Sequence, residues 1–114
     1  MHELSLALSI LDMVDEYAEV HRFVKVNSIT LSFGRMSCIE PKSLQFAFEV
    51  ESRGRLAEGA TLTFEVLPAG IHCFSCGQDS ETDGFAATCP RCLGEEVVLT
   101  GGTEELRVLE LDVD

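Results

Sequence analysis

The sequence predicts an α+β fold in which two helices pack on a small, mostly antiparallel sheet and a cysteine-rich module is inserted. Three observations predict it: a helical spacing of apolar residues near the start, several runs of alternating apolar residues, and two Cys-x-x-Cys pairs late in the chain. A chain of 114 residues can bury one modest core. We expect an α+β domain of residues 1–69 plus 101–114 and a separate module of residues 70–100.

The first predicted element is an amphipathic helix over Leu4–Val20. Its apolar stripe, with spacings of three and four, consists of Leu4, Ala7, Leu8, Leu11, Val14 and Ala18. Because this helix begins almost at the first residue, the N-terminal amine and His2 should lie beside its first turn. Phe23–Phe33 is rich in β-forming residues, and the apolar positions change phase between Val26 and Ile29, which indicates a bulge or a late start of pairing.

A second helix should begin at Pro41, where the missing proline N–H is not needed, and end near Gly54. Its inward side chains should be Leu44, Ala47 and Phe48. Strands are predicted over Thr61–Leu67, Glu96–Thr100 and Leu106–Val113, with Gly101-Gly102 turning the chain between the last two. In the first of these strands, Leu62, Phe64 and Val66 should share the buried face.

The charge of the chain limits its partners. It has 20 acidic and 8 basic residues and a formal net charge of -12. Because phosphate binding requires clustered Lys and Arg, we expect no binding to nucleic acid or to anionic membranes. No apolar run approaches the roughly 20 residues that span a bilayer, and the start lacks the basic region of a secretory signal. We therefore expect a cytoplasmic protein.

Four of the five cysteines form two pairs, Cys73/Cys76 and Cys89/Cys92, separated by twelve residues. In a reducing compartment such pairs bind metal more often than they form disulfides. A glycine after each pair, Gly77 and Gly94, should relieve the turn, and Asp83-Gly84 between the pairs should form a hairpin turn. Four thiolates in tetrahedral array suit structural zinc, so the module is predicted to be a zinc ribbon whose folding depends on the metal.

The sequence favours structural zinc over other interpretations of these cysteines. Iron in a rubredoxin-like site would use the same four thiolates, whereas a redox pair would require a thioredoxin-like pattern that the sequence lacks. A catalytic zinc keeps one position open for water, and four thiolates close the shell. His72 could replace one cysteine, but we expect it to be a surface residue beside Cys73. Cys38 is expected to be a small buried apolar residue.

Met1-His2-Glu3 could form a second metal site. The α-amine, the His2 amide nitrogen and the imidazole Nδ1 can form adjoining chelate rings in one plane, and nickel(II) and copper(II) accept such square-planar nitrogen sites. The fourth ligand could come from Glu3 or from a partner. The residues alone also fit, and by themselves favour, an ordinary helix start in which Glu3 interacts with the helix dipole. His21 is a further candidate ligand, but we expect it in a solvated loop after the helix.

Taken together, the N-terminal Met1-His2-Glu3, the opening helix and the late cysteine pairs resemble the HypA/HybF family of nickel-insertion proteins. The resemblance extends through the middle of the chain, in Gly34, Ser37–Phe48, Arg53-Gly54 and Ala57–Ala60, and covers essentially the whole sequence. Two departures are Arg35, where many relatives carry an acidic residue, and the absence of a longer insertion in the zinc module.

The resemblance implies a nickel metallochaperone. His2, with the Met1 amine and Glu3, would bind transferable Ni(II), and the four paired cysteines would hold structural zinc. Members of the family pass nickel, together with the GTPase HypB, to the large-subunit precursor of NiFe-hydrogenase, and some also serve urease. The alternative is a zinc-ribbon adaptor that binds only protein. We expect no enzyme, because the sequence shows no nucleophile paired with a base and no phosphate-binding loop.

Overall fold

The computed structural model describes residues 2–82 and 88–114, with side chains from Glu3 onward. The predicted Asp83-Gly84 turn and the amine of Met1 lie outside these residues. In chain order the elements are α1 (His2–His21), β1 (Val26–Gly34), a short 3-10 turn (Arg35–Ser37), α2 (Pro41–Glu51), β2 (Thr61–Leu67), β3 (Ala69–Cys73), β4 (Asp79–Thr82), β5 (Val97–Gly101) and β6 (Arg107–Val113). The α+β prediction is confirmed.

Helix α1 buries one apolar stripe, made of Ala7, Ile10, Leu11, Val14 and Ala18. Two residues predicted to belong to this stripe, Leu4 and Leu8, are 37% and 38% exposed. At 100° per residue the buried side chains are centred near Ala7 and Val14, so Ile10 lies about 50° from the centre of the stripe, whereas Leu8 lies about 110° from it. His21 is the last residue of α1 rather than part of a following loop, and it is exposed.

Helix α2 packs against α1 through Leu44 and Phe48, which are both fully buried, whereas Ala47 is half-buried. Pro41 takes the first helical position, as predicted. The N-cap is Glu40, whose carboxylate accepts a hydrogen bond from the Lys42 N–H at 3.1 Å. This cap satisfies one of the N–H groups that the start of a helix leaves unpaired.

The strands form two three-stranded sheets, one with the order β2-β1-β6 and one with the order β4-β3-β5. In β1 the buried apolar residues are Val26, Ile29, Leu31 and Phe33. In β2 Leu62 is buried, Phe64 is half-buried and Val66 is 41% exposed, so the predicted buried face is only partly realised. Strand β2 lies at the edge of its sheet, where fewer neighbours cover its side chains.

In the second sheet, β3 pairs antiparallel with both β4 and β5. Strands β3 and β4 were not predicted from the sequence.

The chain divides into two compact units. The first unit consists of three segments, which are the residues up to Leu31, Ile39–Phe64 and Val108–Asp114. The second unit consists of Ser32–Cys38 and Glu65–Arg107. The boundaries at 69/70 and 100/101 stay a prediction. Among the residues described, no helix has both the length and the apolar character that a bilayer crossing requires.

Candidate metal centre

Four cysteine sulfurs meet in the second unit. The Sγ atoms of Cys73, Cys76, Cys89 and Cys92 all lie within 4.8 Å of one another, and this is the one such cluster among residues 2–82 and 88–114. The Sγ atoms of Cys73 and Cys92 are 3.6 Å apart, and those of Cys76 and Cys89 are 3.8 Å apart. Four sulfurs at about 2.3 Å from one zinc ion are separated by about 3.8 Å, so the observed donor set fits a tetrahedral metal.

The two cysteine pairs lie in turns that we call knuckles, residues 73–77 and 89–94, and backbone N–H groups of the second knuckle point at its sulfurs. The N–H of Arg91 donates to Cys89 Sγ at 3.3 Å, and the N–H of Gly94 donates to Cys92 Sγ at 3.4 Å. Hydrogen bonds of this kind stabilise the charged thiolate, which is the form that binds metal. The knuckle backbone therefore supports the negative charge that a bound cation would neutralise.

The same contacts shift the acidity of the thiols. The N–H of Cys76 is the largest cause that lowers the pKa of Cys73, and burial opposes it. The N–H of Cys92 lowers the pKa of Cys89 to about 7, again against burial. For Cys92 the Gly94 N–H is the largest single influence and lowers the pKa, but the Cys73 sulfur, burial and the other two cysteines together outweigh it and raise the pKa to about 11. Crowded thiols resist full ionisation without a cation, as a metal-binding cluster should.

The backbone turns in the same way after each cysteine pair, but a glycine occupies the turn in the first knuckle and a leucine in the second. The N–H of Gly77 donates to Cys73 O at 2.9 Å, and the N–H of Leu93 donates to Cys89 O at 2.9 Å. The turn places Gly77 at φ 75° and Leu93 at φ 64°. The prediction that Gly94 relieves the second turn is therefore wrong, because the left-handed residue is Leu93.

Gly94 instead allows the two knuckles to approach each other. A Cβ on Gly94 would lie 3.1 Å from Ser75 Oγ and 3.2 Å from Cys92 Sγ. The residue that sequence reasoning missed is Leu93. The sequence could have indicated the left-handed conformation of Leu93, because Leu93 directly follows the second cysteine pair just as Gly77 directly follows the first.

Two other predicted residues take positions apart from the sulfur cluster. The half-buried His72 pairs with Asp79, with Nδ1 and Oδ1 at 2.7 Å. Cys38 was expected to be buried, but it is exposed, with its backbone at φ 64° directly after the 3-10 turn. That prediction is wrong because a left-handed residue at the end of a turn directs Cys38 to the surface rather than into a regular element.

Part of the N-terminal site falls among the described residues. The backbone of α1 begins at His2, two residues before the predicted start at Leu4, while Met1 and the His2 side chain lie outside the described residues. The Glu3 carboxylate accepts a hydrogen bond from the backbone N–H of Glu40 at 3.5 Å. The first turn of α1 is thereby linked to the N-cap of α2, a contact between residues 37 positions apart that the sequence did not indicate.

Comparison with known proteins identifies the family. A family model described as hydrogenase/urease nickel incorporation, metallochaperone, hypA matches residues 1–113. The hydrogenase maturation factors HypA of Syntrophus aciditrophicus and Albidiferax ferrireducens are 54% and 36% identical over 114 residues, which is the whole of each chain. The hydrogenase maturation factor HybF of Klebsiella pneumoniae is 37% identical over 112 residues, or 98% of each chain.

Solved structures agree on the fold. The solution structure of the Ni metallochaperone HypA from Helicobacter pylori matches with a TM-score of 0.64 and 23% identity, covering 99% of this chain and 97% of that one. A second HypA solution structure matches with a TM-score of 0.68 and 23% identity, covering 99% and 96%. The resemblance stated from the sequence is confirmed, as is the expectation that the protein is not an enzyme. The chain belongs to the HypA family of nickel metallochaperones, which are hydrogenase maturation factors.

Proposed function

We propose that this chain binds Ni(II) at Met1-His2-Glu3, with His2 as the principal ligand, and delivers it in the cytoplasm. The recipient is the large-subunit precursor of NiFe-hydrogenase, and the GTPase HypB assists the transfer. Cys73, Cys76, Cys89 and Cys92 hold a structural zinc ion. The observation that carries this proposal is the family match, which extends over residues 1–113 and so includes both sets of residues.

The start of α1 at His2 supports a nickel chelate there. The first N–H groups of an α-helix have no acceptor within the helix, so the amides of His2 and Glu3 can lose a proton without breaking a helical hydrogen bond. The amine, the His2 amide and the imidazole then supply three nitrogens in one plane. Zinc gains no ligand-field energy from such a plane, so the donor set favours nickel(II) or copper(II).

The helix also limits how tightly the cation is held. The N-terminus of a helix carries a partial positive charge, which opposes a divalent cation at close range. The carboxylate of Glu3 and the net charge of -12 offset part of this repulsion. The balance suits a carrier, which must select its cargo and still release it.

The two metal sites therefore differ in their accessibility to a partner. Four thiolates complete the zinc shell and leave no position for an incoming ligand. The N-terminal plane supplies three nitrogens, so a partner can offer the fourth ligand and begin a stepwise exchange. Zinc supplies folding energy to the ribbon, and nickel is the transferred substrate.

The test is a nickel titration of zinc-loaded protein, with metal stoichiometry and the absorption spectrum of square-planar nickel as readouts. His2→Ala and acetylation of the α-amine should each remove the nickel equivalent and leave the zinc content unchanged. His21→Ala is the matched control, because His21 is an exposed histidine at the other end of the same helix. It should bind nickel like the unmodified protein.

Two results would contradict the proposal. Unchanged nickel stoichiometry in His2→Ala would remove the site assignment. A zinc-loaded protein that never acquires a planar nickel site would instead be the zinc-ribbon adaptor. Delivery is tested separately, by hydrogenase activity in a strain that lacks this chain and is complemented with His2→Ala or His21→Ala; only the first should fail.

A further inference from the structure

Leu93 combines two features that are unfavourable for a structural residue. Its backbone is left-handed, at φ 64°, and its side chain is 76% exposed. Leucine in this conformation is strained, because its Cβ crowds the neighbouring carbonyl. The equivalent position of the other knuckle is Gly77, which adopts φ 75° without that strain. Packing within the described chain does not offset the strain of an exposed leucine, so stability does not account for it.

A second apolar side chain is exposed on the facing knuckle. Phe74 is 65% exposed, and its N–H donates to the carbonyl of Glu96 at 2.8 Å. Its ring meets the ring of His72 edge-on, with centroids 5.0 Å apart, and His72 is held by Asp79. Phe74 is thus oriented in advance, which lowers the entropy cost of using it as a binding contact.

The two side chains belong to the same end of the ribbon. Phe74 follows Cys73 and Leu93 follows Cys92, and the sulfurs of those cysteines are 3.6 Å apart. Gly94, next to Leu93, is in close contact with Ser75, next to Phe74. We refer to the exposed side chains of Phe74 and Leu93 together as the knuckle face.

The charges around the knuckle face indicate what it can bind. Among the described residues 70–82 and 88–100 the acidic side chains are Asp79, Glu81, Glu95 and Glu96, whereas the one arginine is Arg91, whose Nε donates to Ser80 Oγ at 3.1 Å. Glu95 and Glu96 are both exposed, and Glu96 is hydrogen-bonded through its backbone to Phe74. An apolar face beside acidic side chains complements an apolar pocket with a basic rim. It repels a second acidic copy of this chain.

We propose that the knuckle face docks into an apolar pocket lined by Lys and Arg on the protein that exchanges nickel with this chain, and that Leu93 is the anchor. This inference rests on the proposed function, which supplies the candidate partners: the GTPase and the hydrogenase large-subunit precursor. The ribbon then recognises the partner, and its zinc holds the two knuckles in the arrangement that presents Leu93 and Phe74 together.

The experiment measures the affinity of the zinc-loaded full chain for each purified partner by biolayer interferometry. Leu93→Gly removes the anchor and relieves the strain, and Leu93→Asn keeps a side chain that tolerates the left-handed conformation. The control is Val24→Ser, since Val24 is an apolar residue 74% exposed and remote in sequence from the cysteine module. Zinc content and thermal unfolding of every variant are measured alongside.

Both Leu93 variants should weaken binding to at least one partner by about tenfold or more, as for an interface hot spot, with zinc content and unfolding temperature maintained. Val24→Ser should bind like the unmodified chain. The pair Glu95→Lys and Glu96→Lys should weaken the same interaction and reduce its sensitivity to salt.

Several results would overturn the inference. Unchanged affinity of the Leu93 variants for both partners would refute the anchor while leaving nickel carriage intact. Unchanged affinity of the Glu95 and Glu96 variants would refute the basic pocket. A dimer in light scattering that Leu93→Asn abolishes, without loss of partner binding, would assign the knuckle face to a second copy. If the unmodified chain bound neither protein, both the proposed delivery and this inference would fall, whereas nickel binding by His2 is tested independently.

Discussion

Replacing Gly34 by alanine should destabilise the chain through steric contact alone. Gly34 ends β1 at φ -78° and ψ 148°, which any residue adopts without strain. A Cβ at this position would lie 2.1 Å from Gly102 O and 2.7 Å from Glu104 N. Both atoms are backbone, so no side-chain rotation can make room for the added methyl group.

The size of the effect follows from what must move. A carbon and a carbonyl oxygen approach to about 3.3 Å at closest, so the backbone around Gly102 would have to withdraw by about 1 Å. That shift breaks two hydrogen bonds, from Gly34 N–H to Glu104 O at 2.9 Å and from Met36 N–H to Gly102 O at 2.6 Å. At about 1 kcal/mol each, with a further 1–3 kcal/mol or so for displaced backbone, Gly34→Ala should cost about 3–5 kcal/mol.

Urea unfolding of the zinc-loaded protein measures this loss as a lower midpoint. The matched control is Gly101→Ala, because the nearest atom to its Cβ would be Pro68 O, at 3.8 Å. That variant should stay within about 0.5 kcal/mol of the unmodified chain. Equal midpoints for the two variants would refute the steric reasoning and place the close approach at Gly34 in doubt.

Two further predictions concern the zinc cluster and the first unit. Removing zinc with a chelator, or by Cys89→Ser, should abolish the protection of the amides of β3, β4 and β5 against hydrogen exchange. The buried amides of α1 and α2 should stay protected. If both helices lost protection as well, the ribbon would not unfold on its own. Arg55 donates through Nη2 to Asp12 Oδ1 at 2.9 Å and to Asp15 Oδ2 at 2.6 Å. Arg55→Met should therefore lower the free energy of unfolding by about 1 kcal/mol, less in high salt, and an effect independent of salt would contradict an electrostatic origin.

The helices were predictable because their signals are local. The stripe of α1 repeats along the sequence, and Pro41 marks the start of α2 within a few residues. Strands β3 and β4 have no such signal. Asp79–Thr82 is wholly polar, and the buried residues of Ala69–Cys73 alternate over only five positions, too few for the pattern alone to distinguish a strand from a loop.

The candidate sites divide in the same way. The cysteine pairs could be predicted as metal ligands because their spacing can be read from the sequence. The N–H groups that lower the pKa of Cys89 could not be predicted, because their positions depend on the folded knuckle. The exposure of Cys38 and the contact between Glu3 and Glu40 were also beyond prediction. Each depends on where a turn places the backbone, and residue types alone do not determine that position.

The location of a transferable ion at the end of a chain has a physical advantage over a location inside a fold. A metal ion held by the four sulfurs would leave only after losing ligands from both knuckles, the first of which begins at the last residue of β3. Releasing nickel from the proposed site changes only the first residues of α1, whose buried side chains begin at Ala7. Under the proposed function the carrier would therefore exchange nickel without unfolding, whereas loss of an ion bound by the four cysteines would unfold the ribbon.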